Sequence, residues 1–245
     1  MTPASRFGVA LTVAALAGAL PALAPAWAES PVKELKVTIQ DLAPNGRFAD
    51  SQAFCIPATT GPATMGPDIS PAIRWTKGPD GTRSFALILQ DPDVPADFST
   101  ANQAGQAIAV GAPRQTVTHW VLVDIPVKVT ALKAGAEGDK LVAKGKPQLT
   151  TDHGRRGVND YTTFMAGNPE MAGNYAGFDG PCPPWNDLRL HHYVLTVYAL
   201  SVDKLPVGEK LGGRFDGKAM LAAITPYILA KGSAMATYSL NPAVK

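Results

Sequence analysis

The sequence predicts a mainly β protein, an antiparallel β-sandwich with one short helix near its C-terminus. Three observations lead there. Residues 191–200 (HHYVLTVYAL) alternate: His191, Tyr193, Leu195, Val197 and Ala199 fall on one face, and His192, Val194, Thr196, Tyr198 and Leu200 on the other. Residues 85–89 (FALIL) form an unbroken apolar run, the pattern of a strand covered on both faces. Helical spacing of apolar residues is confined to Met220, Ile224, Tyr227 and Ile228.

Residues 1–28 have the three parts of a secretory leader: Arg6, an apolar run from Phe7 to Ala24, and Ala26-Trp27-Ala28 as a small-residue cleavage site. Cleavage leaves residues 29–245 as one domain, periplasmic or secreted, with no second apolar segment long enough to span a bilayer. A first strand is expected over Leu35–Gln40, and Pro44-Asn45-Gly46 is a turn. Residues 55–65 are Thr, Pro, Ala and Gly-rich and read as irregular surface chain. A short strand around Ile73–Trp75 meets the turn Pro79-Asp80-Gly81, which leads into the buried strand Ser84–Gln90. Residues 96–114 read as a long loop. Val117–Ile125 follows as a strand, with His119, Val121 and Val123 on one face and Trp120, Leu122 and Asp124 on the other.

Residues 127–151 read as loop and short strand, and residues 152–175 as a Gly/Asn-rich insertion. Within it, His153, Arg155 and Arg156 are expected to form a solvated charge patch. Asp216 is the expected N-cap of the helix, Pro226 should kink or split it, and residues 236–240 close the chain as a strand. Trp75, Trp120 and Trp185 are expected in the core or in a pocket wall.

A formal net charge of +2 with no basic block excludes nucleic acid and an anionic membrane surface as obvious partners. The two cysteines, Cys55 and Cys182, would be exported to where disulfides persist. Their spacing alone does not decide whether they pair. No nucleophile elbow, zinc-protease helix, phosphate-binding loop or dinucleotide fingerprint is present, so neither an enzyme nor a cofactor is expected.

The polar residues that stand out are few. Asp91 and Asp93 flank Pro92, His119 lies on a strand, and His191 and Tyr193 sit two residues apart on another. Taken singly, Asp-Pro-Asp is a turn former, a strand histidine is a satisfied structural residue, and a strand tyrosine is packing. What raises them is the loop just upstream of His191, where Pro181, Pro183 and Pro184 fix three φ angles around Cys182. A stiff loop beside two polar side chains on one strand face is how a small preformed site is written.

The order DPDVP (91–95), His119-Trp120, and GPCPP (180–184) followed by His191-x-Tyr193 resembles the phosphatidylethanolamine-binding protein family, in its bacterial Raf kinase inhibitor-like branch. GPDISPAIRW (66–75) and VNDY (158–161) add to the resemblance, which covers the chain from about Ile39 to the C-terminus. It implies a central antiparallel sheet sandwich with a small anion-binding pocket near the surface. Carried over residue by residue, that pocket consists of Asp91, Asp93, His119, Gly180, Pro181, Cys182, His191 and Tyr193. The chain departs from the simplest bacterial members around residues 162–174 and after Cys55.

The resemblance implies a small anionic ligand, phosphate or a phosphorylated headgroup. In such a site an aspartate would hold a histidine, which would donate to the anion beside loop amides and the Tyr193 hydroxyl. Binding would then weaken as pH rises. A second reading is a protein-interaction or inhibitor module that acts through loops 96–114 and 152–175. A zinc-dependent hydrolase is disfavoured, because His191 and His192 point to opposite strand faces and cannot share one ion.

Overall fold

The computed structural model describes Met1, residues 33–209 and residues 213–244, so the leader expected over residues 1–28 lies, but for Met1, outside the described residues. The chain enters with the two-residue strand β1 (Lys33–Glu34) and β2 (Val37–Ile39). Residues 55–65, expected to be irregular, form a minimal hairpin of β3 (Cys55–Ile56) and β4 (Thr64–Met65). Then come β5 (Ile73–Trp75), the long strands β6 (Ser84–Pro95) and β7 (Arg114–Pro126), and β8 (Ala131–Leu132). A second hairpin, β9 (Thr150–Thr151) and β10 (Gly154–Arg156), precedes the single turn α1 (Tyr161–Phe164). The chain ends with β11 (His191–Leu200), α2 (Gly217–Ile224) and β12 (Ile228–Tyr238).

The main sheet has seven strands in the order β1-β12-β11-β6-β7-β10-β9, all antiparallel except β1 on β12. Its two faces bury separate cores. Phe85, Leu87, Leu89, Trp120, Leu122, Tyr193, Leu195 and Val197 pack beneath the small sheet β2-β5-β8, which contributes Ile39, Ile73, Trp75 and Leu132. Ala86, Ile88, Val121 and Val123 face the other way, against Phe215, Met220 and Ile224 on and beside α2. The unbroken apolar run 85–89 is therefore covered on both sides, as its composition requires. Asp216 caps α2 by accepting from the Ala219 amide at 2.8 Å, and Pro226 ends it in a single 3-10 turn, Thr225–Tyr227.

His153, Arg155 and Arg156 are not a solvated patch. Arg155 donates to Asp124 at 3.0 Å and to the Leu205 and Val207 carbonyls, and stacks over Phe215 at 4.8 Å. Arg156 donates at 2.7 Å to Glu137, a fully buried carboxylate that His153 also approaches, at 3.3 Å. Hairpin β9–β10 turns these side chains inward to meet acids from distant segments, which no local charge pattern displays.

Candidate functional site

Two bulges in the central hairpin create the site. In β6, Asp91 pairs with Val117 but Val94 pairs with Gln115, so β6 carries one extra residue there. Pro92, which has no N–H to give the ladder, sits at that break. Strict alternation would put Asp91 and Asp93 on one face; the bulge reverses parity, so Asp91 and Val94 share the pocket face and Asp93 is turned away. In β7 the register skips His119, passing from Trp120 opposite Leu89 to Thr118 opposite Gln90. His119 is thereby removed from the Val121 and Val123 face, where alternation placed it, and meets Tyr193 with ring centroids 5.2 Å apart.

These turns open a cavity of about 200 Å³. Five of the eight residues proposed from sequence line it: Asp91, His119, Cys182, His191 and Tyr193. Asp93, Gly180 and Pro181 do not. Asp93 instead accepts from the His192 ring at 2.7 Å, from the His192 amide at 2.9 Å and from Arg189 at 2.5 Å. Burial opposes its charge, but these donors outweigh it and hold its carboxyl below the usual range. Gly180 serves the scaffold: its amide donates to Asp68 at 2.7 Å and its carbonyl accepts from Tyr161 Oη at 2.7 Å. A Cβ there would stand 2.0 Å from the Gln52 carbonyl, so only glycine fits. The Pro181 carbonyl accepts from the Cys55 amide at 3.0 Å, beside the disulfide that joins Cys55 to Cys182 with Cα atoms 4.7 Å apart.

The charged floor is a chain of alternating sign. His191 Nδ1 donates to Asp91 at 2.6 Å and Nε2 to Asp187 at 3.1 Å. Arg114 then takes Asp187 in a two-pronged pair at 2.5 and 3.1 Å. Burial disfavours an imidazolium, but the two carboxylates outweigh it and raise the His191 pKa to about 9. Asp187 is held low, its burial outweighed by His191 and Arg114. The Asp91 carboxylate also accepts from the Asp93 amide at 2.8 Å. His191 is thus a fixed cation with both N–H groups committed. It cannot be the histidine that donates to a ligand.

His119 is the one with capacity to spare. Its Nδ1 lies 2.9 Å from the Asp179 carbonyl, which can only accept, so Nδ1 carries the proton. In the neutral ring Nε2 is then a bare acceptor, buried and without a partner. Burial lowers the His119 pKa against the pull of Asp91, the Asp179 carbonyl, Asp160 and the Asp179 carboxylate. The Tyr193 hydroxyl is likewise buried and unpartnered, and burial, then Asp91, push its pKa far up.

Beneath the site, Lys146 donates to Asp68 at 3.0 Å and to Asp179 at 2.6 Å, and Asn159 donates to Asp179 at 2.6 Å. Burial and the neighbouring Asp179 charge raise the Asp68 pKa to about 8, and burial raises Asp179 against Lys146. Asp160, at the start of α1, accepts from the Thr118 amide at 2.7 Å and so pins the strand next to the His119 bulge. The VNDY segment thus anchors the site through Asn159 and Asp160 and lines it with Tyr161, a wall residue the motif could have revealed. Asp187 and Arg114 carried no such signal: their partnership spans 73 residues and exists only in the fold.

Phe98 and Asn102 from loop 96–113, Phe164 and Met165 from the end of α1, and Pro183 and Pro184 complete the wall. Loop 96–113 is stitched to the proline loop: Trp185 N donates to Asn102 at 2.9 Å, Asn102 N to Asn186 at 2.8 Å, and Ile108 N to the Asn186 carbonyl at 3.0 Å. Of the amides after the prolines, Trp185 N and Leu188 N are spent on this seam, Asp187 N on the Pro184 carbonyl and Arg189 N on the Asp187 carboxylate. Trp185 itself faces a different cleft, and Trp75 and Trp120 are core.

Residues 38–239 match the family model described as phosphatidylethanolamine-binding protein. The chain belongs to that family. It is 30% identical over 198 residues to YbcL of Escherichia coli K12, covering 78% of this chain and 85% of that one. With YbhB of the same organism it shares 29% identity over 154 residues, 62% of this chain and 72% of the relative. The crystal structure of E. coli YbcL, titled a new member of the mammalian PEBP family, superposes with a TM-score of 0.56 at 27% identity, over 84% of this chain and 98% of that one. Family membership supports ligand binding in general. Among the described residues no helix is long and apolar enough to cross a membrane, and no group of three or more His, Cys, Asp or Glu is placed to hold a metal ion.

Proposed function

We propose that the protein is an exported, non-catalytic binder of a small ligand that carries a phosphate or phosphoryl-type anion. The observation that carries this reading is the pair of buried, unpartnered atoms, His119 Nε2 and Tyr193 Oη, on two residues that line one cavity. Unmet buried polar atoms cost free energy that a polar ligand would recover. The acid that would repel an anion, Asp91, is already neutralised by His191. The cavity wall offers no serine, threonine, lysine or free thiol as a nucleophile, which supports binding rather than catalysis.

An anion needs a donor at Nε2, so binding draws a proton onto His119, which faces Asp91, Asp160 and Asp179 and the rings of Tyr161 and Tyr193. Affinity therefore falls as pH rises above the lowered His119 pKa, by up to about tenfold per pH unit for one linked proton. Calorimetric titration of the purified protein with inorganic phosphate, O-phosphorylethanolamine and sulfate at pH 6 and pH 8 tests this. Sulfate keeps its charge across that range, so its pH dependence reports on the protein. Tighter sulfate and phosphate binding at pH 6, lost in Tyr193→Phe and His119→Gln, is expected; no heat with any of the three at either pH refutes the reading. Export predicts a mature protein that starts at Glu29 in a periplasmic or culture fraction of a bacterial host. An intact Met1 in the cytosol would overturn it.

A further inference from the structure

The mouth of the same cavity is chemically unlike its floor. Phe98 and Phe164 come from separate insertions, yet their rings meet with centroids 5.5 Å apart at 58°. Both line the cavity, both are about two-fifths exposed (40% and 41%), and neither belongs to any of the three buried clusters. Met165 adjoins them, with Val94, Val117 and Pro183 on the walls between mouth and floor. Asp91 is the only carboxylate on the wall, and it is committed to the His191 ring and the Asp93 amide. Among the described residues no second carboxylate lines the cavity to receive an ammonium group, and Asp97, beside Phe98, is off the wall and accepts from the Ser99 amide and hydroxyl.

From this we infer that the Phe98–Phe164 pair is a specificity element that selects a phosphoryl ligand with a compact apolar substituent, an aryl or short alkyl ester, over one with an aminoethyl group. The inference rests on the reading that the floor takes the phosphoryl anion. A cavity of about 200 Å³ has room for an anionic head and a substituent about the size of a ring, at roughly 30 Å³ for each water displaced. Such a substituent would cover the half-exposed rings and gain their apolar area and stacking. An ammonium would instead lose part of its hydration against the rings with no carboxylate on the wall in exchange, and cation–π attraction of about 0.5–1 kcal/mol at exposed rings offsets only part of that loss.

The test compares phenyl phosphate, O-phosphorylethanolamine and inorganic phosphate by calorimetry on the wild type and on a Phe98→Ala/Phe164→Ala double variant, at pH 6. The rings lie outside the cores, so the variant is expected to fold, and its thermal midpoint checks this. In the wild type phenyl phosphate should bind at least tenfold more tightly than O-phosphorylethanolamine. The double variant should lose most of that preference while its affinity for inorganic phosphate stays within about twofold. Equal affinities for the two esters, with inorganic phosphate bound, overturn the mouth's role and leave the floor intact; so does a preference that survives the double variant. Absence of binding by all three ligands overturns both.

Discussion

Reducing the Cys55–Cys182 bridge should cost the protein a large part of its stability. The bridge closes a loop of 127 residues in sequence. On the chain-entropy account the denatured ensemble then loses about 16 cal/mol/K, about 5 kcal/mol at 25 °C, where whole domains hold 5–15 kcal/mol. The native state itself should change little. The Cys55 amide still donates to the Pro181 carbonyl, the Gly66 amide to the Phe54 carbonyl, and Gly180 is still closed in by the Gln52 carbonyl. The effect therefore resides mainly in the unfolded chain. Urea unfolding of the oxidised protein and of Cys55→Ala/Cys182→Ala should show a lower midpoint and a larger m-value, because the uncrosslinked chain expands further. A double variant within about 1 kcal/mol of the oxidised protein, with the same m-value, would refute the reasoning and place the stability of this region in its backbone contacts alone.

Three other outcomes follow from the buried charges and close contacts. His191 has a folded pKa raised to about 9 against an ordinary 6.5, so its contribution is complete below pH 6.5 and is lost as pH rises through 9. That loss, about 3 kcal/mol, should show as a fall in urea midpoint from pH 6 to pH 10 that is steeper in the wild type than in His191→Gln; parallel curves would rule out the doubly bonded imidazolium. Lys146→Met leaves the buried Asp68–Asp179 pair without its cation. Asp68, with its pKa raised to about 8, is already largely protonated at pH 7, so the cost falls on Asp179. It should be about 3–5 kcal/mol by thermal or urea unfolding, whereas a near-neutral result would mean that Asp179 is protonated in the native state as well. Gly180→Ala drives a methyl against the Gln52 carbonyl and should destabilise by about 1–3 kcal/mol in the same assay; a neutral variant would show that the 3-10 turn Asp50–Gln52 can shift freely.

Much of the fold is legible in the chain itself. The alternation in 191–200, the apolar run 85–89, the turn at Pro79-Asp80-Gly81 and the cap at Asp216 are local patterns. Each became the element it specifies, because pleat, burial on two faces and capping act over a few residues. The proline loop, and the pairing of His191 with Tyr193 on one face, were legible for the same reason. What only the tertiary structure decided was which polar groups face the cavity and which are already spent. Two one-residue bulges turned Asp93 out and His119 in, and a bulge reverses parity in a way that no alternation rule foresees. Asp187, four residues before His191, took up its second nitrogen, and Arg114, distant in sequence, is held by that same carboxylate, so the free imidazole is His119. Sequence carries periodicity and stiffness, which are short-range. The hydrogen-bond partner of a buried group is set by where separate strands meet.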